Sequence, residues 1–142
     1  MSLHQWEERP LVLEHAPRGA EVVLLVEDEP SVRRLVRRVL VRQGYQVLDA
    51  GCADEALAIA EGQNGVLHLL LTDSLMPGGT GPALAERLGA VRPDTKVLFM
   101  SGSTEHAALR RGLLRPGAAL LPKPFTAAGL ATAVRNVLDR PA

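Results

Sequence analysis

A chain of 142 residues has the size of one globular domain, and its 46% hydrophobic content can fill a core, although with 3% aromatics that core must be built from Leu, Val and Ala. Lys plus Arg equals Asp plus Glu at 16 each, which excludes a global charge that would steer the chain toward nucleic acid or an anionic membrane. A single cysteine, Cys52, excludes an internal disulfide and a thiolate zinc cage.

Residues 1–20 hold Pro10, Pro17 and Gly19 without periodicity, and read as a tail or linker ahead of a domain at 21–142; Trp6 and the Leu11–Leu13 run are their apolar features. Val22–Val26 is a continuous aliphatic run, as in a strand buried on both faces. From Pro30 to Gln43, Val32, Leu35, Val36, Val39 and Leu40 make one helical stripe, with Arg33, Arg34, Arg37, Arg38 and Arg42 crowded outside it and Val41 off it. Gly44 stands where such a helix stops. Tyr45–Ala50 is predicted as a strand and Asp54–Gly62 as a helix. Leu67–Thr72 forms a further apolar strand that delivers Asp73.

The glycine-rich turn Pro77 to Gly81 leads into a helix with Leu84, Leu88 and Val91 on one face. Lys96–Met100 is the fourth strand, Ser101-Gly102-Ser103 opens a short helix, and Ala119–Leu121 is the fifth strand. Thr126 is expected to cap a last helix that buries Leu130, Val134, Val137 and Leu138 and leaves no room for a C-terminal effector. Five strands alternating with five helices predict an α/β fold, a doubly wound five-stranded parallel sheet covered on both faces.

In such sheets the working site lies beyond the carboxyl ends of the strands. Here Glu27-Asp28-Glu29 follows the first strand, Asp73 the third and Ser101 the fourth, and the fifth runs into Lys123. Any one of these is an ordinary cap or turn residue; four coincident strand ends are not. Clustered carboxylates repel, and a hard divalent cation relieves them. Mg2+ takes one or two carboxylates, waters and phosphate oxygens. A carboxylate beside it can attack phosphorus to give an acyl phosphate, while a lysine and a serine hydroxyl can serve the phosphoryl oxygens.

Val22–Glu29 (VVLLVEDE), Leu69–Pro77 (LLLTDSLMP) with Gly81, Leu98–Gly102 (LFMSG) and Leu121–Phe125 (LPKPF) resemble the signature segments of response-regulator receiver domains, with family-like spacing from about residue 21 to 139. The resemblance implies a flavodoxin-like fold with strand order 2-1-3-4-5. It implies that Asp73 accepts a phosphoryl group from phosphohistidine on a histidine kinase or phosphotransfer domain, with Mg2+ held by Glu27, Asp28, Asp73 and the Leu75 backbone carbonyl. Ser101 would be the switch hydroxyl and Lys123 the phosphate-binding lysine, preceding a cis bond to Pro124. Glu27 stands where the family most often has Asp. Leu120 replaces the aromatic residue of switching members, so an aromatic rotamer flip is unavailable. The segment Pro17–Glu21 and the run Leu69–Leu88 resemble receivers at the C-terminus of hybrid sensor histidine kinases.

The expected protein is cytoplasmic: no run approaches the roughly 20 apolar residues of a membrane span, and no signal peptide opens the chain. It would catalyse its own phosphotransfer and dephosphorylation without being an independent turnover enzyme. Alternatives are a stand-alone single-domain response regulator and, in a different class, a non-phosphorylated interaction module. An aspartate-dependent phosphatase normally needs a second carboxylate two residues on, where this chain has Leu75. The arginine face of the first helix is a solvated face or a docking surface, His68 reads as a satisfied structural histidine, and Cys52 as inert.

Overall fold

The computed structural model describes residues 12–76, 79–102 and 118–141. Strands β1 (Val22–Val26), β2 (Gln46–Ala50), β3 (Leu69–Asp73), β4 (Lys96–Ser101) and β5 (Ala119–Pro122) pair in parallel in the order 2-1-3-4-5. The expected topology is the observed one. Helices α1 (Pro30–Arg42), α2 (Ala53–Gly62), α3 (Gly81–Val91) and α4 (Ala127–Leu138) accompany it. The fourth expected helix in chain order, between β4 and β5, falls on residues outside those described. A short antiparallel ribbon, Leu75–Met76 with Gly79–Thr80, follows β3 and was not expected from the sequence.

Successive strand side chains point to opposite faces of a sheet, and the aliphatic runs therefore feed two cores. Val23, Leu25, Leu69, Leu71, Leu98 and Met100 pack with α1 and α4 through Val36, Val39, Leu130 and Val134. Leu24, Val26 and Leu70 pack on the other side with α2 and α3 through Ala56, Ala60, Leu84 and Leu88. The stripe read from the sequence of α1 is the buried one, and Val41 is half exposed beside it.

The end of α1 shows why Gly44 is needed. Its N–H bonds the carbonyl of Val41, and the Tyr45 N–H bonds that of Leu40, which closes the helix with Gly44 at a φ of 101°. A Cβ there would also overlap the carbonyl oxygen of Gly19. That close approach fastens the segment ahead of β1. The buried Gln43 amide donates to the carbonyls of Ala16 and Pro17 at 3.1 and 2.8 Å, and Leu13 rests on the α1–α4 core. His68 accepts a 2.9 Å bond from the Val22 N–H, the structural role expected of it.

Arg135 of α4 ties this end of the sheet together. Its two terminal nitrogens meet Glu21 at 3.0 and 2.6 Å, and the guanidinium also reaches Asp139 at 2.8 Å. The hydrogen-bonded guanidinium holds the Glu21 carboxyl down at about 2, against burial, which opposes ionisation. A depressed folded-state pKa contributes stability above the unfolded value, and that contribution is lost as pH falls from about 4.5 to about 2. With solvent screening of a pair about a quarter exposed, Glu21→Gln should cost about 1–2 kcal/mol at pH 7. Urea denaturation across pH should show that difference from wild type vanishing by about pH 2; a pH-independent difference would mean that packing, not the ion pair, is responsible.

Candidate functional site

The carboxyl ends of the strands carry their polar residues into one place because the hydrogen-bond ladders run one step past the hydrophobic run. Glu27 follows β1, and its N–H bonds the Ala50 carbonyl at 3.1 Å. Asp73 closes β3 opposite Met100, and the next residue, Ser74, donates to the Met100 carbonyl at 2.9 Å. Lys123 follows β5, with its N–H on the Ser101 carbonyl at 2.7 Å. The Lys123–Pro124 bond is cis, as the sequence motif led us to expect.

Glu27, Asp73 and Ser101 are buried, and Asp28 is exposed at the mouth. Carboxylate oxygens of Glu27, Asp28 and Asp73 all lie within 4.8 Å of one another. Lys123 stands between two of them, its Nζ 2.5 Å from Asp73 Oδ1 and 3.3 Å from Glu27 Oε1. One cation thus serves two carboxylates that are 1% and 6% exposed. The other Glu27 oxygen, Oε2, is buried with no hydrogen-bond partner.

An orphaned buried carboxylate oxygen is costly unless something completes it. A hard divalent cation would do so, since three oxygen donors from separate carboxylates suit it and lysine alone leaves an oxygen unmet. The donor set therefore fits the cation expected from the sequence.

The chain after Asp73 turns sharply. The Gly81 N–H bonds the Ser74 carbonyl at 2.9 Å, and a Cβ on Gly81 would overlap the carbonyl oxygen of Asp73. Gly81 thus allows the start of α3 to close over the Asp73 peptide. Thr80 caps that helix by accepting from the Ala83 N–H. Leu75, whose carbonyl was expected to serve the metal, lies in the ribbon with its side chain half exposed.

Helical periodicity gives Arg33 only a place on a charged face. In the structure its Nη1 donates to the backbone carbonyl of Glu27 at 2.8 Å, and its Nε lies 3.8 Å from Asp49 Oδ2. Arg37 meets the same aspartate at 3.2 Å. The helical pattern places both arginines off the buried stripe, but it carries no signal for these contacts.

The model of the response regulator receiver domain family matches residues 23–135. Sensor kinase CckA of Brucella abortus (strain 2308) is 39% identical over 122 residues, covering 86% of this chain and 13% of that protein. The chain therefore spans only a small part of that kinase's length. The crystal structure of the receiver domain from Hybrid Histidine Kinase CckA superposes with a TM-score of 0.70 at 35% identity, over 83% of this chain and 99% of that one. A receiver domain protein from Clostridium thermocellum gives 0.75 at 25% identity, over 84% of this chain and 95% of its own.

Lys123→Met would leave Glu27 and Asp73 buried without their shared cation. Breaking a buried pair from one side costs about 3–5 kcal/mol, and with Lys123 30% exposed we expect about 1–3 kcal/mol at pH 7 with EDTA present. Adding Asp73→Asn should return a large part of that loss. Urea unfolding of the two single variants and the double variant measures the coupling, and strictly additive costs would contradict it.

Proposed function

Because this chain belongs to the response regulator receiver domain family, we propose that it accepts a phosphoryl group on Asp73 from a phosphohistidine of a histidine kinase or histidine phosphotransfer domain. The observation that carries this reading is the convergence of Glu27, Asp28 and Asp73, with Lys123 between Glu27 and Asp73 and one buried Glu27 oxygen unmet. A metal-binding surface alone would need no lysine on its central carboxylate.

In the proposed step, an Asp73 carboxylate oxygen attacks phosphorus, the phosphorus–nitrogen bond breaks, and the imidazole leaves with that electron pair. Lys123 already sits against Asp73, and its ammonium would pass to the incoming phosphoryl oxygens as a compact charge. Ser101, buried at the adjoining strand end, would donate its hydroxyl to another of those oxygens. Glu27, Asp28, Asp73 and the Leu75 carbonyl would hold Mg2+, which supplies positive charge to the phosphoryl oxygens when bound. Hydrolysis of the acyl phosphate by water would reset the site, so the domain acts on itself rather than turning over a separate substrate.

The likeness to CckA receivers supports a place within a hybrid sensor histidine kinase. In that setting the task is to accept and pass on a phosphoryl group. Leu120, opposite Phe99 in the β4–β5 ladder, suits such a role because it offers no ring to relay a movement of Ser101. A cytoplasmic location agrees with this reading; among the described residues no helix is long and apolar enough to cross a membrane.

Incubation with acetyl phosphate and Mg2+ should add one phosphoryl mass to the wild type and none to Asp73→Asn. Glu27→Ala with Asp28→Ala should lose the dependence on Mg2+ together with most of the labelling. Stable labelling of Asp73→Asn at another carboxylate would overturn the assignment.

A further inference from the structure

We propose that Arg33 is a positioning residue for the cation site, holding the Glu27 main chain so that its carboxylate stays aimed into the acidic pocket. The inference rests on the reading of that pocket as a divalent-cation site. Glu27 lies one residue beyond the end of β1, where the β1–β2 register stops at Val26 opposite Ala50. Its N–H still finds the Ala50 carbonyl. After Ala50, however, the neighbouring chain turns through Gly51 and Cys52 into α2, so β2 no longer runs alongside. The Glu27 carbonyl instead accepts from Arg33 Nη1 at 2.8 Å. A helix side chain thus takes over where the strand ladder ends.

The guanidinium is itself held. Its Nε faces Asp49 Oδ2 at 3.8 Å, and Asp49 is also met by Arg37 at 3.2 Å. Gly51 leaves the room, because a Cβ there would lie 3.0 Å from Arg33 Nη1. α1, the β1 terminus and the β2 terminus are therefore joined through one planar fork that touches the peptide of a cation ligand. Lysine cannot reproduce this, since its single ammonium lacks the fixed spacing of a guanidinium's donors.

Charge and positioning predict opposite signs. Arg33 is a cation one hydrogen bond from the Glu27 backbone, so its charge opposes binding of a second cation by the Glu27 carboxylate. If charge were its whole effect, removing it would tighten Mg2+ binding. If it orients Glu27, removing it loosens binding, as loss of outer-sphere partners does at other metal sites.

The test is titration of the whole chain with MgCl2, followed by backbone amide NMR shifts, for wild type, Arg33→Met and Arg33→Lys. The same spectra report whether each variant is folded. We expect the Kd of Arg33→Met to rise about tenfold, at the low end for such groups, and Arg33→Lys to bind more weakly than wild type. Unchanged or tighter binding by Arg33→Met overturns the proposal, as does an Arg33→Lys variant that matches wild type. Should Arg33→Met fail to fold, Arg33→Lys alone decides. A wild-type chain with no saturable response around Glu27, Asp28 and Asp73 instead removes the cation-site reading itself, an outcome distinct from failure of Arg33 alone.

Discussion

Carboxylates drawn within 4.8 Å of one another at the rim of a sheet repel, and Glu27 and Asp73 do so almost wholly out of water. Much of the molecule can be understood as the means of holding them there. Lys123 supplies the opposing charge from β5 at the far side of the sheet, touching both buried carboxylates. It reaches them because β1, β3 and β5 all point the same way, and that parallelism follows from helical crossovers between strands. A lysine on an antiparallel neighbour of β3 would emerge at the other end of the sheet.

The compensation is incomplete, and the shortfall is chemically informative. Lys123 leaves Glu27 Oε2 unmet. A buried pair that closed on itself would be a structural device; one that leaves an oxygen open beside the exposed carboxylate Asp28 fits the divalent cation proposed for it. The opposite end of the sheet provides a contrast. There Glu21 is met by both terminal nitrogens of Arg135, and no oxygen is left over. That cluster joins the segment before β1 to α4, and nothing in its arrangement calls for a ligand.

The fold was legible because aliphatic runs alternate with helical stripes whose ends carry residues with one structural use, Gly44 closing α1 and Thr126 capping α4. The rim residues were legible because strand ends must converge in a parallel sheet. Two kinds of feature stayed hidden. The ribbon after Asp73 depends on main-chain pairing of Leu75 with Thr80, for which a two-residue strand offers no periodicity. The bond from Arg33 to the Glu27 carbonyl depends on where β2 turns away, a fact of tertiary geometry, so helical periodicity could assign Arg33 no more than a place off the buried stripe. The segment Ala16–Gly19 likewise looked like linker because its contacts with Gln43 and Gly44 run through carbonyls and a glycine, which leave no hydrophobic pattern.

The most direct measurement traps the acyl phosphate itself. After reaction with acetyl phosphate and Mg2+, borohydride reduction converts a phosphorylated aspartate to homoserine, and peptide mass mapping locates it. Homoserine at position 73, absent when EDTA replaces Mg2+, is the expected result. Homoserine at Asp28 or at any other position, or equal yield without the metal, would contradict the proposed roles of Asp73 and its acidic neighbours.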